Sequence, residues 1–124
     1  MKEIMAIIRI NKVEATKKAL VHEGFNGLTA SKAMGRGKML VDLSLLDSLP
    51  DESREAVKET LMKGGKLLPK RLLTIAVHDK DVKKVVETII EVNKEGNPGD
   101  GKIFVLPLAD AVSVRTGERG EAAI

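Results

Sequence analysis

The order in which short apolar runs alternate with amphipathic segments constrains the fold of this 124-residue chain more than any other feature. Apolar runs of this length favour buried strands over helices. The predicted strands cover residues 4–10, 25–34, 70–78 and 103–108, and residues 111–114 fit a short fifth strand. The predicted helices cover residues 12–23 and 79–93. Each helix is therefore flanked by two strands, and the β-α-β order occurs twice.

The second of these helices has the clearest pattern. Its apolar residues recur at helical spacing, and they are Val82, Val85, Val86, Ile89 and Ile90. This spacing places them in one stripe that can face a sheet. Asp79 precedes the stripe and is the predicted N-cap.

Two β-α-β units predict an α+β fold of the ferredoxin-like, split βαβ type, with two helices on one face of an antiparallel sheet. A chain of this length is expected to form one domain, residues 1–124. The strands are apolar on both sides, so a homo-oligomer would cover the second face of the sheet.

The connection between the second and third strands is unusually long, because it runs from about residue 38 to residue 68. Loops of this length inside compact domains are most often functional or disordered. Pro50 and the acids after it indicate a helix start, and Gly64 indicates its end. Val57 and Leu61 lie four residues apart on this helix, which suits either a segment that orders against a partner or a self-contained surface helix.

Three basic turns carry the possible binding chemistry. Gly99-Asp100-Gly101-Lys102 runs directly into the fourth strand, and Gly35-Arg36-Gly37-Lys38 ends the second. The third turn is Val114–Gly120, near the end of the sequence. Glycines let a backbone approach a ligand closely, and a lysine or the forked donors of Arg115 suit phosphate. The alternative is a tight turn in which Lys102 is solvated, because short glycine motifs are weak signals.

Composition argues against several other functions. There is no cysteine, and His22 and His78 are single residues unpaired with other ligand types, so we expect no metal site. The sequence shows no Ser-His-Asp arrangement and no paired carboxylates in an apolar setting, so we expect no enzyme. The net charge of +3 and the two phenylalanines argue against nucleic-acid binding. No apolar run approaches the ~20 residues of a membrane span. The first residues lack a signal-peptide layout, which predicts a cytoplasmic protein.

The sequence resembles the PII (GlnB/GlnK-like) family of nitrogen regulatory proteins over nearly its whole length. The matching stretches are Met1–Arg9, Gly35–Lys38, Leu68–Lys70, Gly99–Val105, Val114–Glu118 and Ala122–Ile124. The resemblance implies a trimer with ATP/ADP sites between subunits. It also implies a target-binding T-loop at about residues 37–69, a B-loop at about 94–102 and a C-terminal loop at about 113–124.

The resemblance further implies roles for individual residues. The nucleotide would be surrounded by Gly35, Gly37, Lys38, Gly99, Gly101 and Lys102, with Thr29 and Arg115 supplied by the adjoining subunit. Lys70 matches the lysine that pairs with 2-oxoglutarate, and Arg54, Val57 and Leu61 would contact the partner from the T-loop.

Three departures from the family pattern modify this expectation. Met39 replaces the glutamine that binds Mg²⁺, and thioether sulfur is a poor ligand for that cation. We therefore expect Mg²⁺-dependent 2-oxoglutarate binding to be impaired in this subunit. Ser113 replaces one of two arginines, which predicts weaker triphosphate binding. The chain has no tyrosine, so uridylylation of a T-loop tyrosine is excluded.

The basic turn at Gly35 and the long insertion are most similar to the nitrogen-fixation (NifI) branch of the family, in particular to its second, longer-looped member. That branch implies inhibition of nitrogenase, through its dinitrogenase component, when fixed nitrogen is plentiful. A sister PII protein could complete a mixed oligomer. The alternatives are a regulator of an ammonium transporter or, less favoured, a CutA-like metal-handling trimer.

Overall fold

The computed structural model describes residues 1–37, 49–62 and 67–124, and for residues 57–62 it describes the backbone alone. The strands are β1 (Lys2–Ile8), β2 (Thr29–Gly35), β3 (Leu68–Val77) and β4 (Gly101–Pro107). The helices are α1 (Val13–His22), α2 (Asp51–Met62) and α3 (Val82–Asn93). Short 3-10 turns cover Ile10–Lys12, Asp79–Asp81 and Gly120–Ala123.

The four strands form one antiparallel sheet in the order β2-β3-β1-β4. In the register of the sheet, Ile8 at the end of β1 lies between Arg71 of β3 and Gly101 of β4. The two long β-α-β units and their shared sheet confirm the predicted α+β, ferredoxin-like fold. The connection between β2 and β3 is the predicted long insertion, and it contains α2.

The core lies between one face of the sheet and the helices α1 and α3. Its buried residues alternate along the strands and recur at helical spacing along the helices. They are Ile4, Ala6, Ile8, Leu73, Ile75 and Val77 from the strands, and Leu20, Val85 and Ile89 from the helices. The buried stripe of α3 is narrower than predicted, because Ile90 is 45% exposed.

The prediction that Asp79 caps α3 is wrong. The helix begins after Asp81, which makes no side-chain capping bond. The Asp79 carboxylate pairs instead with the amino group of Met1 at 3.1 Å and with Lys2 at 3.5 Å. These two cations lower the pKa of Asp79, chiefly through the hydrogen bond from the Met1 amino group.

The second strand begins four residues later than predicted because Phe25 belongs to the end of α1. Gly24 has a φ of +95°, and its N–H bonds to the carbonyl of Val21 at 2.9 Å. The Phe25 N–H bonds to the carbonyl of Leu20 at 2.8 Å. This pair of bonds is the Schellman pattern, in which a left-handed glycine ends a helix.

The C-terminal segment differs from the predicted fifth strand. Among the described residues, Val112 contributes only an isolated bridge to Arg119. The two residues form the base of a short hairpin, residues 112–119, which we call the C-terminal hairpin.

The helix predicted in the insertion is present as α2. Its first turn follows Pro50, whose carbonyl accepts hydrogen bonds from the N–H groups of Ser53 and Arg54, both at 3.0 Å. The predicted contact residues Val57 and Leu61 lie on α2, but their side chains are outside the described residues. None of the described helices is long and apolar enough to cross a membrane.

Candidate functional site

The basic turns that end β2 and begin β4 lie at the same end of the sheet. Gly101 pairs with Ile8 at the end of β1, and Gly35 pairs with Leu68 at the start of β3. Lys70 lies at a position of β3 that alternates with the buried residues of that strand. Lys102 pairs with a residue of β1 that alternates with the buried residues of β1. Both lysines therefore lie on the sheet face that is not covered by α1 and α3.

The chain between α3 and the first two residues of β4 forms a tight loop, residues 95–102, which we call the glycine loop. Gly99 and Gly101 both have positive φ, +91° and +133°. A Cβ on Gly101 would collide with the carbonyl oxygen of Ile7. Position 101 therefore requires glycine for its conformation and for the close approach of two backbones.

A single carboxylate organises the glycine loop. Oδ2 of Asp100 accepts three backbone hydrogen bonds, from the N–H groups of Glu95 at 2.8 Å, Gly96 at 2.9 Å and Asn97 at 3.2 Å. Oδ1 of the same residue accepts a hydrogen bond from Arg9 at 2.8 Å. The loop thus folds around the side chain of Asp100.

These donors lower the pKa of Asp100 to about 2. The largest cause is the backbone hydrogen bond from Glu95, and the bonds from Arg9, Asn97 and Gly96 act in the same direction. Partial desolvation opposes them. Hydrogen bonds to the charged form of a carboxyl group favour that form, so Asp100 is ionised at neutral pH.

Arg9 and Lys70 attach the glycine loop to the sheet. The Arg9 guanidinium also donates to Glu95 at 3.2 Å and to the carbonyl of Pro98 at 3.2 Å. Lys70 donates to the carbonyl of Gly99 at 3.3 Å. The ends of β1 and β3 therefore both hold the loop that precedes β4.

Two cations predicted for the site, Lys102 and Arg115, have exposed side chains. Within the described part of the chain, the side chains of Lys102 and Arg115 make no hydrogen bond and no ion pair. Both side chains are free to bind an anion, and Lys102 directly follows Gly101, whose φ is positive. The prediction that Lys102 faces a phosphate and the alternative that it is merely solvated both fit this geometry.

Arg115 is carried by the C-terminal hairpin, whose base is fixed by Asp110. The Asp110 carboxylate accepts hydrogen bonds from the N–H groups of Ala111 at 2.8 Å and Gly120 at 3.1 Å, and from the Arg119 guanidinium at 3.0 Å. The segment leaves β4 at Pro107, which is the end of the sheet opposite Gly101. Arg115 is therefore held on a separate element from Lys102.

The structure brings together four of the predicted site residues. Lys70, Gly99, Gly101 and Lys102 lie in or against the glycine loop. Gly35 is at the same end of the sheet, but three strand spacings, at least about 14 Å, separate it from β4. Gly37 follows β2 as an exposed residue.

The remaining predicted residues are not close to the glycine loop or cannot be placed. Thr29 begins β2 and is about 20 Å from its other end, because six residue steps separate it from Gly35. Arg54 is in the first turn of α2 and pairs with Asp51 at 3.2 Å. Lys38 and Met39 fall outside the described residues.

The network of Arg9, Glu95 and Asp100 was not assigned a role from the sequence. The sequence features that could have indicated this network are an arginine at the end of an otherwise apolar strand and an aspartate between two glycines. Among the described residues, no group of three or more histidine or acidic side chains could hold a metal ion.

Comparisons with known proteins extend these observations. The model of a family described as nitrogen regulatory protein P-II matches residues 1–118. A nitrogen fixation nifHD region glnB-like protein 2 from Methanococcus maripaludis is 48% identical, and the match covers 100% of both chains. The protein of that name from Methanobacterium ivanovii is 44% identical, with 100% of this chain and 99% of the relative covered.

A solved structure is similar over the same length. The crystal structure of Arabidopsis thaliana PII bound to citrate superposes with a TM-score of 0.74 at 34% sequence identity. The match covers 99% of this chain and 91% of the other.

Proposed function

The chain belongs to the nitrogen regulatory protein P-II family, and from this premise we propose that it binds an adenine nucleotide and regulates nitrogenase. Family membership confirms the resemblance inferred from the sequence, and the two archaeal relatives carry nifHD-region names with the number 2. P-II proteins are signalling regulators, so the prediction that the chain is not an enzyme is also confirmed.

The observation that carries the nucleotide proposal is that a glycine at positive φ is followed directly by an exposed lysine. Gly101 is exposed and has no side chain, and the Lys102 side chain has no partner among the described residues. Backbone N–H groups at such a turn and an adjacent ammonium suit the phosphates of ATP or ADP. The loop is already folded, so binding needs little ordering of the protein.

Distances within one chain favour a nucleotide site completed by a second copy. Thr29 and Gly35 lie at opposite ends of β2, and Arg115 departs from the end of the sheet opposite Lys102. In the proposed trimer, or in a mixed oligomer with a sister PII protein, the adjoining subunit would supply Thr29 and Arg115. In this proposal the single domain has a T-loop at about residues 37–69, a B-loop at about 94–102 and a C-terminal loop at about 113–124.

We propose that this protein binds 2-oxoglutarate more weakly than is usual in the family. Lys70, the expected partner of its carboxylate, donates to Gly99 and would have to exchange that carbonyl for the ligand. Met39 offers no oxygen to Mg²⁺. The citrate bound to the Arabidopsis protein is a ligand of that protein, but it supports a carboxylate site in the family.

The proposed target is the dinitrogenase component of nitrogenase, which the insertion with Arg54, Val57 and Leu61 would contact when fixed nitrogen is plentiful. The names of the relatives, which refer to nitrogen fixation, support this target over an ammonium transporter. Adenine nucleotide, alone or with 2-oxoglutarate, would control the contact.

Calorimetry of the purified protein with ATP and ADP tests the nucleotide proposal. We expect binding, and Lys102→Ala should weaken it by about tenfold, since a charge-assisted phosphate contact is lost. Lys83→Ala, which removes an 86% exposed lysine of α3, is the matched control and should have no effect. Absence of nucleotide binding by the wild type would refute the proposal.

The target is tested by affinity capture from nitrogen-starved and ammonium-fed cells. We expect the dinitrogenase component in the ammonium-fed sample and its release by ATP with 2-oxoglutarate. Capture of an ammonium transporter in its place would contradict the proposed target and leave the nucleotide proposal intact.

A further inference from the structure

We propose that Asp100 is the positioning residue of the glycine loop. Its carboxylate holds the main chain of residues 95–97 so that Gly101 and Lys102 face an anionic ligand. The inference rests on the proposed nucleotide function for its ligand, but its structural part can be tested without any ligand.

The loop has few other internal bonds. Among the described residues, the one backbone–backbone hydrogen bond that closes it joins the Asp100 N–H to the carbonyl of Asn97 at 3.2 Å. The N–H groups of Glu95, Gly96 and Asn97 all point to one oxygen of Asp100. A side chain therefore replaces the helix or strand partners that backbone N–H groups usually have.

The position of Asp100 in the chain connects this anchor to the predicted ligand contacts. Asp100 lies between Gly99 and Gly101, and both have positive φ. Glycine is the most freely rotating residue, so neither neighbour fixes its own conformation. The fixed carboxylate between them, together with the pairing of Gly101 with Ile8, defines the path of the chain into Lys102.

Position 100 requires a carboxylate side chain rather than an amide. Oδ2 accepts the three N–H groups, and Oδ1 accepts Arg9 at 2.8 Å. An asparagine could keep one accepting oxygen, but its NH₂ group would then face the Arg9 guanidinium, donor against donor. Arg9 also donates to Pro98, so removal of the carboxylate would disturb both sides of the loop.

The test compares Asp100→Asn with wild-type protein by amide hydrogen exchange and by ATP calorimetry. In the variant we expect faster exchange at residues 95–97 and an ATP dissociation constant raised about tenfold. The matched control is Asp79→Asn, which removes another ion-paired carboxylate with a lowered pKa at the opposite end of the sheet. The control should leave both readouts unchanged.

A double-mutant cycle with Arg9 separates positioning from a general loss of stability. Arg9→Gln replaces the donor-only guanidinium with an amide whose oxygen can accept from the asparagine, so Asp100→Asn should weaken ATP binding less in the Arg9→Gln background than in the wild type. Equal effects in both backgrounds would contradict the paired role of Arg9 and Asp100.

The outcomes distinguish this inference from the proposed function. If the wild type binds no ATP, the nucleotide proposal fails, while the exchange of residues 95–97 still decides the role of Asp100. Unchanged exchange and unchanged affinity in Asp100→Asn would overturn the inference. Should that variant fail to fold, wild-type exchange at residues 95–97 as fast as in an unstructured peptide overturns it, and protection there supports it.

Discussion

Replacing Thr16 by valine should destabilise the protein more than replacing its partner, Asn93, by leucine. The two residues connect α1 and α3, and they are 0% and 5% exposed. Asn93 Nδ2 donates to Thr16 Oγ1 at 3.0 Å and to the carbonyl of Ile89 at 2.8 Å. The Thr16 hydroxyl proton is already donated to the carbonyl of Lys12 at 2.7 Å.

The two substitutions differ in stability because they leave different polar atoms buried without a hydrogen-bond partner. Asn93 Oδ1 is buried and accepts no hydrogen bond from the described residues. Thr16→Val would also deprive one Asn93 N–H of its acceptor, and an unpaired buried donor costs about 1–3 kcal/mol. Asn93→Leu removes the unsatisfied oxygen together with the two donors, so we expect a change within about 1 kcal/mol.

The double variant Thr16→Val/Asn93→Leu should be close to wild type, because it leaves no unpaired amide. The cycle then yields a coupling free energy of about 2 kcal/mol. A cleft of about 180 Å³ beside Asn93 offers room for the larger leucine.

Urea unfolding at one fixed protein concentration measures these free energies, because an oligomer's stability depends on concentration. Thr88→Val is the matched control, since the Thr88 hydroxyl makes the same contact to the Lys84 carbonyl at 2.7 Å in α3 without an asparagine partner. The control should cost less than about 0.5 kcal/mol. The reasoning is refuted if Thr16→Val is as stable as the control, or if Asn93→Leu is the less stable of the two single variants.

Three further predictions concern the loops. Gly101→Ala should lower the free energy of unfolding by about 1–3 kcal/mol, because position 101 has a positive φ and the new Cβ would collide with Ile7. An unchanged thermal midpoint would contradict this prediction. Asp110→Asn should speed amide exchange across residues 112–119, and unchanged exchange there would show that the hairpin does not depend on this carboxylate. The pKa of Asp100 is lowered from 3.8 to about 2, so its stabilisation is complete above about pH 4 and is lost as the pH falls toward 2. The amide shifts of residues 95–97 should therefore titrate with a midpoint near 2, and a midpoint near 4 would contradict the observed hydrogen bonds.

The fold was largely predictable from local patterns, and the error at the start of α3 lies where a long-range partner decides. The alternation of Ile4, Ala6 and Ile8 identifies a strand face, and the spacing of Val85 and Ile89 identifies a helix face. Asp79 has the sequence features of an N-cap, but the amino group of Met1 takes its carboxylate. No local pattern contains that information.

The candidate site was predictable in its residue types rather than in its arrangement. The positions of Gly101 and Lys102 followed from the glycine motif and from the resemblance to the P-II family. The role of Asp100 did not, because three N–H groups of its own loop and Arg9, which lies 91 residues earlier, meet at its carboxylate only in the folded chain. The separation of Arg115 from Lys102 likewise could not be predicted, because it depends on the direction in which β4 crosses the sheet.

Sequence alone therefore determined the order of strands and helices, their buried faces, the glycines that the turns require, and membership in the family. The first three depend on backbone preferences and on periodicities within a few residues, and family membership depends on motifs that match along nearly the whole chain. Tertiary structure decided that Asp100 anchors the glycine loop through Arg9 and that Asn93 donates to Thr16, 77 residues away. Such contacts depend on sheet register and helix packing, which bring distant residues together only when the whole core has formed.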